Sequence, residues 1–439
     1  MAPTITLTTR LFLLSTLCAL LFLTPFNRNS HLRAQTNQPT VPPGFTQELV
    51  TEKLDGPTAF VMAPDGRIYF TQKSGTVRVW HDNQLIAENF IDISQQVNHA
   101  YNRGLVGIAL HPNFPRTPYV YLAYVYQPQE AYQHKEIGAR LSRVMRVSAD
   151  SANLDKALPG SEVVILGAGG EFEQIGNPDN PDRPPFSCED DNGKAMRDCI
   201  PVEGTAHQAN MLRFGRDGAL YVGVGDGSEA ETAGLRAQDL DSLSGKMLRI
   251  NPMTGMGYAS NPYYNRDPQS NRAKVYMLGL RNPFRFTFHP TTGELVIGDV
   301  GKSSWEEVNR GRAGANFGWP CFESSDPGLA TPPCDKIQAN PRQVVFPQYA
   351  YPHTEGRVAI IGGDYYAGAA FPAEYRGAYF FGDYNVGTIW MLTGAGSNVQ
   401  VKEFATGFAG LVQISTGADG NLYVLTARGG ALYRIRWAG

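Results

Sequence analysis

His207 stands in GTAHQANMLRFGRDG, immediately before an apolar alternating segment, which sets its imidazole at the end of a strand rather than within it. An imidazole there can take a proton near neutral pH, although a histidine at a strand start also serves as a structural hydrogen-bonding group. GLRNPFRFTF puts Arg281 and Asn282 before a second strand. Planar charged donors beside an amide suit an oxygen-rich planar ligand; the plainer reading is an ion pair and a turn. In GDVGKSSWEEVN (298–309), Gly301 permits unusual backbone geometry and the Glu306–Glu307 pair has the oxygen chemistry of a hard-cation site such as calcium, or of solvated surface acids. Asp226, closing the strand after Met211, reads first as a turn residue able to orient a loop, and His353 in YPHTEG as a hydrogen-bonded polar residue on a connection.

These groups need a scaffold of strands. The segments AFVMAPDGRIYFTQ (59–72), MLRFGRDGALYVGVGD (211–226), FRFTFHPTTGELVIGD (284–299) and VQISTGADGNLYVLTA (412–427) repeat one pattern, an alternating strand, an Asp-Gly or Thr-Gly turn and a second strand. A related unit with a longer turn occupies 107–125. Each hairpin alone would leave an apolar face uncovered, so radial stacking as propeller blades is the expected solution. Composition agrees: 47 Gly, 30 Pro, 21 Tyr and 22 Phe against 18% charged residues suit many short strands and tight turns, not long helices. At about 40–45 residues per blade, six to eight blades fit. The insertions around 165–205 and 320–350 are expected as loops on one face.

A net charge of −3 without a Lys/Arg run argues against a nucleic acid partner. Arg10 followed by the apolar run Leu11–Phe26 and a polar stretch predicts an export signal or an uncleaved membrane anchor over 1–34, then a linker over 35–44. Apart from Cys18, four cysteines remain. Local disulfides Cys188–Cys199 and Cys321–Cys334 are the simplest of three connectivities, and zinc lacks a C-x-x-C pair.

Taken in order, RGLVGIALHPNF (103–114), GTAHQANMLRFGRDGALYVGVGD (204–226), LSGKMLRINP (243–252), GLRNPFRFTFHPTTGELVIGDVGKSSWEEVN (279–309), ANFGWPCFE (315–323), IIGGDYYAG (360–368) and YRGAYFFGDYNVGTIWML (375–392) resemble the soluble glucose/sorbosone dehydrogenases, which depend on pyrroloquinoline quinone and calcium. The resemblance covers roughly 45–437 and implies an all-β fold, a six-bladed β-propeller of four-stranded antiparallel sheets. It implies that His207 is the base acting on the anomeric hydroxyl of an aldose, that Arg281 and Asn282 contact the quinone, and that the backbone carbonyls of Gly301 and Lys302 bind calcium. Glu306 and Glu307 would then lie nearby and Asn102 near the substrate. It further implies a periplasmic or secreted dehydrogenase passing electrons to a separate acceptor.

The departures are specific. The best-studied members of the family hold the quinone carboxylates with a lysine in the penultimate blade and two arginines before the last repeat, whereas Asn385, Gly410 and Val412 stand nearest those positions in this chain. Arg285, Arg357 and Arg428 are the candidate replacements. The loss of those cations keeps a second reading open, a non-catalytic propeller that binds carbohydrate or protein, as in hedgehog-interacting relatives. A calcium-dependent lactonase would need converging side-chain carboxylates, which these motifs do not supply.

Overall fold

The structure, a computed structural model, describes residues 38–439 except 181–186, 191, 228–233, 355 and 357–358. The segment read as a leader, with Cys18, and also Arg357 lie outside the described residues. Among the described residues no helix is long and apolar enough to cross a membrane.

Six antiparallel sheets follow one another along the chain as the six blades of a propeller. Their innermost strands are, in order, Pro57–Met62, Leu105–Leu110, Ala209–Phe214, Pro283–Phe288, Ile360–Tyr365 and Leu411–Thr416. Each packs against the next, and the last packs against the first. Blade 6 is completed from the other end of the chain: Phe45–Thr51 pairs with Ala431–Trp437, Phe45 opposite Trp437 and Gln47 opposite Ile435. That pairing closes the ring.

The sequence repeat has a local physical cause. In blades 3 and 6 the first hairpin turns at Gly218 and Gly420, both near φ +75° (74° and 77°), where a side chain would be strained. The aspartate before each glycine accepts from a backbone N–H two residues on and from a tyrosine four residues on: Asp217 takes the Tyr221 hydroxyl at 3.2 Å and Asp419 the Tyr423 hydroxyl at 2.9 Å. The D-G-x-x-Y pattern thus ties each turn to its own second strand.

Polar side chains lace the inner strands together. Arg285 of blade 4 donates to the Val412 carbonyl of blade 6 at 3.1 Å, to Thr58 of blade 1 at 2.6 Å and to Phe284 at 3.1 Å. Burial pulls its guanidinium down to about 9, so it stays charged at neutral pH and is wholly engaged by carbonyls. Gln413 pairs with the N–H and C=O of Phe60 at 3.0 and 2.8 Å, joining blade 6 to blade 1. Both local disulfides, Cys188–Cys199 and Cys321–Cys334, are formed, each bracing one of the long insertions. The inner strands all begin at one face, here termed the mouth, where the loops between the second and third strands of each blade also lie.

Replacing Arg285 with Met is expected to cost on the order of 3 kcal/mol, because buried carbonyls of three blades lose a charged donor. The shift in urea-unfolding midpoint measures it.

Candidate active site at the propeller mouth

His207 immediately precedes the inner strand of blade 3 and is buried, 5% exposed, with φ +65°. A left-handed histidine persists only where its surroundings over-determine it. Here two segments clasp it: the N–H of Gly227 donates to the His207 carbonyl at 3.1 Å and that of Gly225 to Gln208 at 3.0 Å. A Cβ on Gly225 would lie 2.6 Å from the His207 oxygen, so the clasp closes only on glycine. The ring Nδ1 lies 2.6 Å from Oδ1 of Asp226, which is fully buried, and Oδ2 of the same carboxylate accepts the indole N–H of Trp319 at 2.8 Å. A carboxylate at Nδ1 fixes the N–H there and makes Nε2 the basic nitrogen.

The same loop reaches blade 4. The Asp226 N–H donates to the Arg281 carbonyl at 2.8 Å. Arg281 and Asn282 are set by one buried carboxylate: Asp299 accepts their backbone N–H groups at 3.0 and 2.6 Å. The Asn282 side-chain oxygen accepts from Asn210 at 2.8 Å, and the Arg281 guanidinium lies 5.6 Å above the Trp319 ring. His207, Arg281 and Asn282 therefore form one connected unit through Asp226 and Asp299. Beside it, Oδ1 of Asn210 and Oε1 of Gln208 are buried without a hydrogen-bond partner, the condition a polar ligand or an ordered water relieves.

The 300–305 loop is arranged differently from the sequence expectation. Arg281 Nη1 donates to the carbonyls of Val300 at 2.9 Å and Gly301 at 2.6 Å. The four N–H groups of Lys302, Ser303, Ser304 and Trp305 converge on Oε1 of Glu323, at 2.8 to 3.3 Å. Burial opposes ionisation of Glu323, but those N–H groups outweigh it and hold the carboxyl below its usual range. Glu306 and Glu307 are not a joint acidic support for the Gly301 and Lys302 carbonyls, because successive strand residues face opposite ways. Glu306 bonds His353 Nε2 at 2.6 Å and the Ile360 N–H at 2.8 Å, toward blade 5. Glu307 accepts from Asn309 at 2.8 Å and from the Ser324 N–H at 2.5 Å, opposite Asp299 in the sheet. His353, paired with Glu306, is thereby structural, and the ion pair raises its pKa.

Comparison with known proteins bears on this geometry. The family profile "Glucose / Sorbosone dehydrogenase" matches residues 54–165 and 192–434. The chain belongs to this family. It is 24% identical to HIPL2 protein of Arabidopsis thaliana over 78% of the chain and 50% of that protein, so it spans about half that relative's length. It is 23% identical to aldose sugar dehydrogenase YliI of Escherichia coli over 86% of the chain and 89% of that protein. The PQQ-bound aldose sugar dehydrogenase of Streptomyces coelicolor shares the fold, with a TM-score of 0.63 at 18% identity over 90% of the chain and 99% of that structure.

The remaining positions divide around the mouth. Asn102, exposed, is held by its N–H to Thr205 at 3.1 Å and its carbonyl to Gln208 at 2.9 Å, which places it beside the His207 loop. Asn385 lies in the turn of blade 5, its N–H on Asp383 at 2.8 Å, away from the blade 3–4 unit. Of the candidate substitute cations, Arg285 is consumed by carbonyls and Arg428 stands at the mouth. A cavity of ≈ 770 Å³ at the opposite face, lined by Arg213, Thr287, Asp364 and Thr416 among others, contains none of these residues. The residues not foreseen as site members, Asp299, Trp319 and Glu323, sit in GDVG and ANFGWPCFE; the ordered motifs marked the segments but not the bonds across blades.

Burial raises both Asp299 and Glu307; the charge of Glu307 raises Asp299 further, and the charges of Glu323 and Glu306 add to burial at Glu307, which is pushed up to about 7. A carboxyl whose folded pKa lies above its unfolded value stabilises the fold below that unfolded value and loses the contribution as pH rises through the folded one. The expected result is a fall in unfolding free energy between pH 5 and pH 8 that is clearly smaller in Glu307→Gln, read by urea denaturation at both pH values.

Proposed function

We propose that the chain is a quinone-dependent dehydrogenase that oxidises aldoses or related carbohydrates at the anomeric carbon, outside the cytoplasm. One observation carries this reading: a strained, carboxylate-oriented histidine wired to an Arg-Asn pair at the mouth of a propeller of the glucose/sorbosone dehydrogenase family. Two disulfides, which persist in oxidising compartments, support the location.

Pyrroloquinoline quinone, when bound, would supply the two-electron oxidation; the Arg281 and Asn282 donors fit its oxygens, and the orphaned acceptors of Asn210 and Gln208 fit an N–H or hydroxyl donor, such as its pyrrole N–H or a sugar hydroxyl. The tasks of the chain are then orientation and proton transfer. Nε2 of His207 takes the proton of the anomeric hydroxyl, while Asp226 stabilises the imidazolium that results. Trp319 keeps Asp226 in place through its indole N–H. Arg281 directs positive charge at the oxidant side of the site. Asn102, beside the His207 loop, is positioned to meet a sugar hydroxyl. Electrons leave to a separate acceptor, since the chain has no C-x-x-C-H haem attachment.

Calcium does not fit in the same way. The Val300 and Gly301 carbonyls already accept a guanidinium, and among the described residues no group of three or more His, Cys, Asp or Glu is arranged to hold a metal. Dialysis against EDTA is expected to leave the melting temperature of the protein unchanged; a drop reversed by added calcium would restore the carbonyl site.

Substitution of the quinone-binding lysine and arginines by Asn385, Gly410 and Val412 favours the second reading, a propeller that binds carbohydrate or protein without turnover. Titration of the purified protein with pyrroloquinoline quinone, followed by reduction with a panel of aldoses and an artificial acceptor, separates the two. Saturable binding with sugar-dependent reduction is expected, and absence of binding at micromolar quinone would leave the binding module. In His207→Ala, kcat is expected to fall by about 10³-fold with quinone affinity within about twofold of wild type.

A further inference from the structure

Gly410 stands immediately before the inner strand of blade 6, nearest the position at which the resemblance to the best-studied members implies an arginine. Its φ is +76°, and a Cβ built on it would lie 2.6 Å from Cγ of Arg428 and 2.9 Å from Cβ of Arg428. The Arg428 side chain thus fills the volume that a side chain at 410 would need. It comes from the loop between the second and third strands of the same blade, which is tied to Gly410 by the Ala427 N–H at 2.7 Å. Arg428 is exposed at the mouth, with its guanidinium 5.3 Å over the ring of Tyr384, next to Asn385.

Lys73 occupies the equivalent loop of the adjoining blade 1, and its carbonyl accepts from Leu105 at the start of blade 2 at 3.2 Å. It is half-buried, and burial lowers its pKa, with only Coulombic attraction to Glu136 opposing. Among the described residues no carboxylate forms an ion pair with Arg428 or Lys73. In a closed ring of six, blades 6 and 1 lie across the mouth from blades 3 and 4, which carry His207 and Arg281–Asn282.

We propose that Arg428 and Lys73 form the anion-holding side of the mouth, taking the carboxylates of a planar polyanion whose opposite edge meets His207, Arg281 and Asn282. Arg428 restores from a neighbouring loop the cation missing at position 410, and Lys73 supplies a second from the adjoining blade. The inference rests on the quinone reading for its natural ligand, but the charge arrangement stands on these residues alone.

The test is equilibrium binding, by fluorescence titration and calorimetry, of two probes to the full chain: pyrroloquinoline quinone, and benzene-1,3,5-tricarboxylate as a planar trianion without redox chemistry. Arg428→Gln and Lys73→Gln are each expected to raise both dissociation constants about tenfold, with Arg428→Lys recovering part of the loss and melting temperatures without ligand unchanged. Quinone binding that neither variant weakens would overturn the anion-holding role and leave the dehydrogenase reading intact. Tricarboxylate binding sensitive to both variants, with no quinone binding, would support the anion site and remove the quinone. Binding of neither probe to the wild type would overturn both.

Discussion

The pairing of Phe45–Thr51 with Ala431–Trp437 is the bond on which the ring depends, because each blade buries its faces only against its neighbours. With the ring open, blades 1 and 6 would each present an apolar face to water, including Phe60, Phe70, Leu425 and Leu432 of their shared core. Closure also fixes the mouth. Inner strands that cannot splay hold the loop ends of blades 3 and 4 at hydrogen-bonding distance, so that the Asp226 N–H finds the Arg281 carbonyl and Asn210 finds Asn282. The two faces of the propeller are therefore unequal. One carries short Asp-Gly or Thr-Gly hairpins, each closed by its own bonds and joined to its neighbours at single points such as Arg216 to the Pro290 carbonyl and the Tyr366 hydroxyl to the Gly420 carbonyl; the other carries loops of unequal length with many bonds between blades.

Loops at that face have backbone groups that no ladder pairs, and buried charge of the appropriate sign fills each concavity. Arg103, fully buried, donates to the carbonyls of Val202, Gly204 and Gly138, gathering the chain on either side of Asn102 and His207. Lys246 donates to Arg236, Ala237 and Ser244, and burial pushes its ammonium down to about 7. Glu323 does the converse for the N–H groups of 302–305, and Asp299 for those of Arg281 and Asn282. Such buried ionisable groups are costly to desolvate and are weak evidence for stability, yet each favours one loop conformation, because another would strand a buried polar group without its partners.

Much of this was legible in the sequence. The D-G-x-x-Y repeat and strand alternation are local, so the propeller and its hairpins could be read from segments of about fifteen residues. His207, Arg281 and Asn282 stood out because each directly precedes a strand, and the cysteine spacing gave both disulfides. What escaped lies between blades. Asp226 looked like a turn residue because its partner Trp319 is distant in sequence, and the carbonyls of Gly301 and Lys302 read as calcium ligands from the resemblance alone, since nothing local says that Arg281 folds back onto Gly301. Glu306 and Glu307 read as a pair, whereas strand alternation sends one toward His353 and the other toward Asp299. Contacts of that kind depend on which blades adjoin, which no short motif encodes.

The same division explains how charge is distributed at the mouth. The guanidinium of Arg281 is partly spent on the Val300 and Gly301 carbonyls, whose dipoles offset its field, so blade 4 offers directed donors but a diminished positive potential. Carbonyls are the groups a divalent cation would otherwise take; a guanidinium occupying them supplies one positive charge, in a fixed direction, without an ion to load. A polyanion held at such a mouth must then find most of its compensating charge elsewhere in the ring. Arg428 and Lys73 form no ion pair among the described residues, with only the longer-range attraction of Glu136 acting on Lys73, and they lie where the ring geometry separates them from the proton-handling histidine. A polyanion so held would be anchored from blades 6 and 1, while the carboxylate-oriented imidazole of His207 acts from blade 3 on the other side of the ring.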